Sequence, residues 1–319
     1  MRILQISLLI LLIILLAGLP FLTKRDNLIN LVILIFLYVI LASSWNILGG
    51  YTGQTSLGHA AFFGLGSLTT RLLWTGGYPL FWSLLAGGIV AVLFALLIGI
   101  PAFRLKGVYF AIGTLALAQI LNITVGNVFP NISSLPPDML ATYTLLPRYF
   151  LFFGIAVITV VSIYLLVNSR LGLGIMAVRE QEDAAESLGV SALRHKLLAL
   201  TISAFFAGLA GGAFAYYFVS YYYQFPFTPV WSFDTLTMVY IGGQGTIIGP
   251  IIGAVFFVLL REYLAQTLGE YHLIVFGVLF ILVVLFLPGG LVEAWEKIRK
   301  FFSKQRSLRK ADQTPLPGG

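Results

Sequence analysis

Residues 49–70 read GGYTGQTSLGHAAFFGLGSLTT, set between an apolar run ending in WNIL and another that follows a short break. Written on a helix, Ser56, Ala60, Gly64 and Ser67 fall at spacings of four, four and three, so they line one continuous face of small residues. A loop has no reason to keep that period. In lipid, apolar contact alone does not drive helices together, and small faces let backbones approach closely and pack by dispersion. The stretch therefore predicts a packing helix inside a membrane bundle.

Polar Gln54, Ser56 and His59 sit at one end of that helix, where their cost is bearable only if they face protein or water. Two roles stay open for them: bridging neighbouring helix ends, or flanking a translocation path. A metal site is disfavoured, because the three histidines at 59, 195 and 272 are far apart and have no carboxylate in register.

The rest of the chain fits a bundle in lipid. Its 319 residues are 59% hydrophobic and 10% charged, and mean hydropathy is +0.97, whereas a soluble domain carries roughly 25% charged residues. The fold class is all-α, a single polytopic membrane domain over 1–290 with a basic cytoplasmic tail over 291–319. A net charge of +7 does not point to nucleic acid, since the basic residues cluster at the ends of apolar runs, as flanks of membrane helices do. Absence of cysteine removes disulfides and thiolate chemistry.

Apolar runs predict about ten spans: 3–22, 28–48, 54–75, 79–101, 107–128, 148–168, 196–219, 231–246, 247–268 and 272–288. The first ends in Pro20 without a small-x-small cleavage site and reads as a retained helix. The eighth is short, broken at Gly242-Gly243, and reads as a partly unwound helix. With ten spans, Arg104 and Lys106, the 170–196 segment and the basic tail share one side with the N-terminus. That side is cytoplasmic by the positive-inside rule. In the tail, Trp295, Ile298, Phe301 and Phe302 alternate with basic residues and predict a helix lying on anionic membrane lipid. On the outer side, Tyr221, Tyr222, Tyr223, Phe225, Phe227 and Trp231 suit an interfacial aromatic belt, with docking of an external protein as the alternative.

A second glycine-rich stretch, IGGQGTIIGPIIGA at 241–254, carries Gly242, Gly243, Gly245, Gly249 and Gly253 with Gln244 and Thr246. Two such breaks in separate halves are what transporters built of repeated halves show around their route. Gly64, Gly242, Gly243, Gly245 and Gly249 are thus packing or hinge positions. Polar residues inside otherwise apolar helices make Gln54, Ser56, His59, Gln119 and Asn122 the candidate path lining.

The longest charged stretch, 170–196, holds Glu180, Glu182, Asp183 and Glu186 with Arg179, Arg194 and His195. Within it MAVREQEDAAESLG predicts one short helix ended by Gly189, acids in its early turns. Asp183-Ala184-Ala185-Glu186-Ser187-Leu188-Gly189 is similar to the Glu-Ala-Ala-x-x-x-Gly loop by which ABC importer permeases seat their ATPases, with Asp in place of the first Glu. Together with GYTGQTSLGHAAFFGLGSLTT, RLKGVYFAIGTLALAQI, the stretch from AVREQEDAAESLG into SAFFAGLAGG, and GGQGTIIGPIIGA, most of 30–290 resembles the permease subunits of branched-chain amino acid ABC importers. The likeness is to the M-type of the two paired permeases.

This resemblance implies a second homologous permease, cytoplasmic P-loop ATPase subunits and an extracytoplasmic substrate-binding protein, in a prokaryotic inner membrane. Arg179, Glu180, Glu182, Asp183, Ala184, Ala185, Glu186 and Gly189 would couple to the ATPase. No G-x-x-x-x-G-K-[ST] occurs in the chain, so it binds no cofactor itself by this means, and ATP and Mg belong to the partner subunits. Urea, short amides or a sugar are alternative substrates. A stand-alone secondary transporter would need ionisable groups inside the spans; Asp234, Arg261 and Glu262 are the few present, and adjacent Arg261 and Glu262 do not face each other. An intramembrane enzyme finds only the Ser56–His59 pair, and the chain reads as no enzyme.

Overall fold

The computed structural model of the chain describes residues 2–23 and 25–271, with scattered positions between 274 and 299. It opens with α1 (Arg2–Leu22) and α2 (Asp26–Asn46), which runs on through one π-helical turn, Ile47–Tyr51. An irregular segment, 52–58, leads to α3 (His59–Thr75), α4 (Leu80–Ala102) and α5 (Val108–Val128). Strand β1 (Ile132–Ser134) and α6 (Pro137–Ala141) precede α7 (Leu145–Val167), and α8 (Arg170–Glu180) and α9 (Glu182–Ser187) connect it to α10 (Ala192–Tyr217). Strand β2 (Ser220–Tyr222) pairs antiparallel with β1, Ile132 opposite Tyr222. A 3-10 turn, Phe225–Phe227, then leads to α11 (Val230–Gly242) and α12 (Ile248–Leu268).

Among the described residues, six helices are long and apolar enough to cross a membrane: Asp26–Tyr51, Leu80–Ala102, Val108–Val128, Leu145–Val167, Ala192–Tyr217 and Ile248–Leu268. These match the second, fourth, fifth, sixth, seventh and ninth expected spans. The first, third and eighth are present as α1, α3 and α11. The tenth span, 272–288, and the basic tail lie largely outside the described residues.

Helix packing follows an inverted pattern, small residues inward and large ones outward. On α4, Gly87, Ala91, Ala95 and Gly99 recur every four residues and are buried, while Leu93, Leu97 and Ile100 are exposed. On α5, Thr114, Ala118, Asn122 and Val125 face inward, and Ile112, Ile120 and Ile123 face out. This is the pattern expected where lipid is the solvent. At the centre, α3, α4 and α10 meet almost backbone to backbone. A Cβ on Gly66 would collide with the Gly208 backbone, and one on Gly211 with the Phe63 carbonyl. α2 lies alongside, burying Phe36, Leu41, Trp45 and Leu48 in the same core.

Three expectations need correction. The third span starts at His59, not Gln54, so Gln54 and Ser56 lie in the irregular segment and only Ala60, Gly64 and Ser67 share the helical small-residue face. Non-helical backbone survives at depth only when protein satisfies its polar groups. Here Thr114 Oγ1 accepts from the Leu57 amide at 3.0 Å, Trp45 Nε1 donates to the Ser56 carbonyl at 2.8 Å, and the Gln54 amide donates to the Leu48 carbonyl at 3.0 Å. Second, α11 stops at Gly242 instead of running to 246; its 13 residues extend about 20 Å, short of the ~30 Å hydrocarbon core. Third, MAVREQEDAAESLG is not one helix. Gln181 is extended (φ −159°, ψ 110°) and splits α8 from α9.

Candidate functional site

The two ends of α2 and α10 carry different structures. At one end lies a cavity of about 860 Å³, walled by the first half of α2, the last turn of α10, the start of α11 and the second half of α12. That volume is in the range of ligand pockets, ~300–1,000 Å³. Leu34, Leu37, Phe214 and Trp231 give it an apolar wall, and Tyr38, Asp234 and Arg261 supply its polar centre. Arg261 Nη1 donates to Asp234 Oδ2 at 2.9 Å, and the Tyr38 hydroxyl donates to the same oxygen at 3.2 Å. Arg261 Nη1 also reaches the Tyr38 oxygen at 3.3 Å, and the guanidinium lies over the Phe257 ring.

The depth of this cluster matters. Tyr38 sits about 18 Å along α2 from its start and Arg261 about 10 Å from the end of α12, so both lie inside the span of a bilayer. Charges at such depth are rare, face the protein interior and pair with one another. The sequence named Asp234 and Arg261 only as separate groups, because no local spacing joins residues on α11 and α12.

At the opposite end the two glycine-rich breaks meet. Asn46, in the last turn of α2, donates from Nδ2 to the Thr246 carbonyl at 2.8 Å, and its Oδ1 accepts from the Gly245 amide at 2.8 Å. Thr246 Oγ1 in turn accepts from the Gly249 amide at 3.0 Å and donates to the Gly243 carbonyl at 2.9 Å. Gly242 and Gly249 are in backbone contact, so neither has room for a side chain. The Arg179 side chain from α8 lies across this junction, against both Gly53 and Gly245. Gly245 also has φ +73°, where glycine is favoured. Gly64, in the first half of α3, packs against the Phe227 ring.

The 170–196 segment closes this end. Ser169 caps α8, its Oγ accepting from the Gly172 amide at 3.3 Å. Ala185 of α9 is buried with Val178 and Ala192, and Glu182 accepts from Lys196 Nζ at 2.6 Å. Both contacts are made within the chain, so Ala185 and Glu182 hold α9 against α10. Arg179, Glu180, Asp183, Ala184, Glu186 and Gly189 are exposed. Leu188, which the sequence reading passed over, is 85% exposed at the tip. Gly189 follows it at φ +84°, ending α9 with its amide bonded to the Glu186 carbonyl at 2.9 Å.

The polar positions expected to line a path are dispersed. Gln54 is half-buried and Gln119 exposed. Ser56 is buried beside Phe110 and Thr114. His59 Nε2 is 2.9 Å from Ser44 Oγ. Asn122 exchanges hydrogen bonds with Gln224, donating to its carbonyl at 3.3 Å and accepting from its amide at 3.1 Å. None of the five lines the cavity.

One residue the sequence reading missed is Arg71. It is fully buried in α3, and its five donors reach Ser133 Oγ (2.8 Å) and the carbonyls of Ser133 (3.0 Å), Ala215 (3.0 Å), Phe218 (2.9 Å) and Val219 (2.9 Å). This uses the full donor set of a guanidinium and ties the β1–β2 pair to the end of α10, whose Phe218 lines the cavity. Tyr221 stacks under the cation; burial raises its phenol above the ordinary value, while the bond with Ser67 and the Arg71 charge oppose that rise. The signal was a lone Arg within an apolar run, which must face protein.

A profile of the family described as branched-chain amino acid transport system permease components matches residues 27–284. The chain belongs to this family. Among curated relatives, the high-affinity branched-chain amino acid transport system permease protein LivM of Salmonella typhimurium is 33% identical over 309 residues, covering 86% of this chain and 71% of the relative. The protein of the same name from Escherichia coli K12 shows the same identity and coverage. No solved structure gives a significant match. The match to LivM agrees with the M-type resemblance, and the permease is a transport component whose helices suit a membrane.

Proposed function

We propose that this chain is the M-type permease subunit of an ABC importer for branched-chain amino acids, in the inner membrane of a prokaryote. A second homologous permease completes the path, two cytoplasmic P-loop ATPases drive it with ATP and Mg, and an extracytoplasmic binding protein delivers substrate. On this reading the chain crosses about ten times, both termini are cytoplasmic, and the cavity opens outward. The substrate class rests on the relatives, which are named for branched-chain amino acids; nothing comparable favours urea or a sugar.

The observation that carries the reading is the exposed tip of α9, Asp183, Ala184, Glu186 and Leu188, braced by Ala185 and Glu182 against α10. It is a lever with one free face, as an ATPase groove requires. Arg179 links it to the glycine junction, and α10 runs from it to the cavity wall at Phe214. Closure of the ATPases thereby moves α10 and the junction together. Gln54, Ser56, His59, Gln119 and Asn122 remain positions whose polar groups serve the moving path, His59 and Asn122 through their partners on α2 and in the loop after β2.

Co-purification tests the assembly. Extracted with an affinity tag from native membranes, the permease is expected to bring a P-loop ATPase and a similar permease, identified by mass spectrometry. Leu188→Asp is expected to release the ATPase. It is a cleaner change than Glu182→Arg, which would also break the bond to Lys196. A chain that arrives alone under conditions preserving other such assemblies contradicts the reading.

A further inference from the structure

We infer that the Tyr38–Asp234–Arg261 cluster is a recognition site for the zwitterionic head of an α-amino acid, with the apolar cavity wall taking an aliphatic side chain. The inference rests on the permease reading above and names the residues through which that cavity would select its cargo.

Three features carry it. The first is unused capacity. All the polar contacts within the cluster converge on Asp234 Oδ2, Arg261 Nη1 and the Tyr38 hydroxyl; among the described residues Asp234 Oδ1 and Arg261 Nε and Nη2 make no hydrogen bond. The pair is also partly open, with side-chain exposures of 36% for Arg261 and 17% for Asp234. A carboxylate meets the free guanidinium edge and an ammonium the free carboxylate oxygen, both as charge-assisted bonds.

Charge balance is the second feature. Within the pair each charge neutralises the other, so neither is stranded at depth; Glu262, which also lines the cavity, is exposed and accepts from Gln266 at 2.9 Å. A zwitterion brings one charge of each sign and leaves that balance intact. An amine or a carboxylic acid alone engages one member and strands the other, which is a physical basis for rejecting it. The third feature is the surround. Leu34, Leu37, Phe214 and Trp231 line the same cavity, so a ligand held by its head places its side chain against an apolar wall.

The test is binding of tritiated L-leucine to the full permease–ATPase assembly in nanodiscs, without the external binding protein. Competitors are unlabelled leucine, isocaproate (leucine without its ammonium) and isoamylamine (leucine without its carboxylate). Each analogue is expected to compete at least about tenfold more weakly than leucine, the scale of one lost charge-assisted hydrogen bond. Asp234→Asn is expected to bring leucine down to the level of isocaproate, and Arg261→Gln to that of isoamylamine. Should either single variant fail to assemble, the double variant, which strands no charge, is measured instead and is expected to lose preference for the zwitterion. Absence of leucine binding by the unaltered assembly up to millimolar concentration, or unchanged preference in the variants, overturns the inference. ATP-driven leucine uptake with the binding protein present separates the two levels: uptake without such binding removes this site and leaves the permease reading standing, whereas no uptake removes the latter.

Discussion

Asn46 and Thr246, 200 residues apart in the chain, are joined by a 2.8 Å hydrogen bond from the Asn46 amide to the Thr246 carbonyl. The same side chain accepts from Gly245. One buried residue of α2 therefore fastens the break before α12, and Arg179 of α8 lies over the same place. The junction is where a movement of α8 and α9 would first reach the membrane helices.

Asn46→Asp keeps the size and removes the donor, setting a carboxylate against a carbonyl. An unsatisfied buried group costs about 1–3 kcal/mol, more when charged. The purified permease is expected to melt several degrees lower by intrinsic tryptophan fluorescence, and leucine uptake by the assembly to fall about tenfold. Unchanged melting and uptake would show that the bridge is dispensable.

Arg71 has no adequate substitute. Lysine offers three donors against five, and methionine offers none. Each carbonyl left without a partner costs about 1–3 kcal/mol, so Arg71→Met is expected to leave little folded protein in the membrane and Arg71→Lys an intermediate amount. Limited proteolysis should cut first between β1 and α6. Equal protease resistance in all three proteins would mean that the clamp holds nothing.

Gly189 separates a backbone effect from a surface effect. Its φ is +84° and the space around its missing side chain is open, so substitution there strains only the main chain. Asn tolerates that conformation and a β-branched residue does not. Gly189→Asn is expected to retain ATPase co-purification near the unaltered level, and Gly189→Val to weaken it by about five- to thirtyfold, for a strain of roughly 1–2 kcal/mol. Equal loss in both would place the effect on surface contact and not on the turn.

Much of the bundle was legible because lipid imposes simple rules: apolar length gives spans, and small residues at four-residue spacing give packing faces, as Gly87, Ala91, Ala95 and Gly99 illustrate. The irregular segment before α3 was not legible, because its backbone is satisfied by Thr114 and Trp45 from other helices, and no local pattern reports that. The break at Gln181 is of the same kind: the local sequence favours one helix, and packing of Ala185 on Val178 and Ala192 turns α9 back. The Asp234–Arg261 pair joins different helices, so charge spacing along the sequence could name its members without joining them. Arg71 was visible as a lone cation in an apolar run, a signal left unused.

ATP-driven uptake tests the central claim most directly. The permease, its sister permease and the ATPases are reconstituted in proteoliposomes, with the binding protein and radiolabelled leucine on the receptor side. Leucine accumulation is expected only with ATP and Mg on the α9 side, to be insensitive to collapse of ion gradients, and to be lost in Leu188→Asp while that variant still inserts. Accumulation that persists without ATP and vanishes when an ion gradient is dissipated would contradict it, and would make Asp234 and Arg261 coupling groups of a transporter working alone.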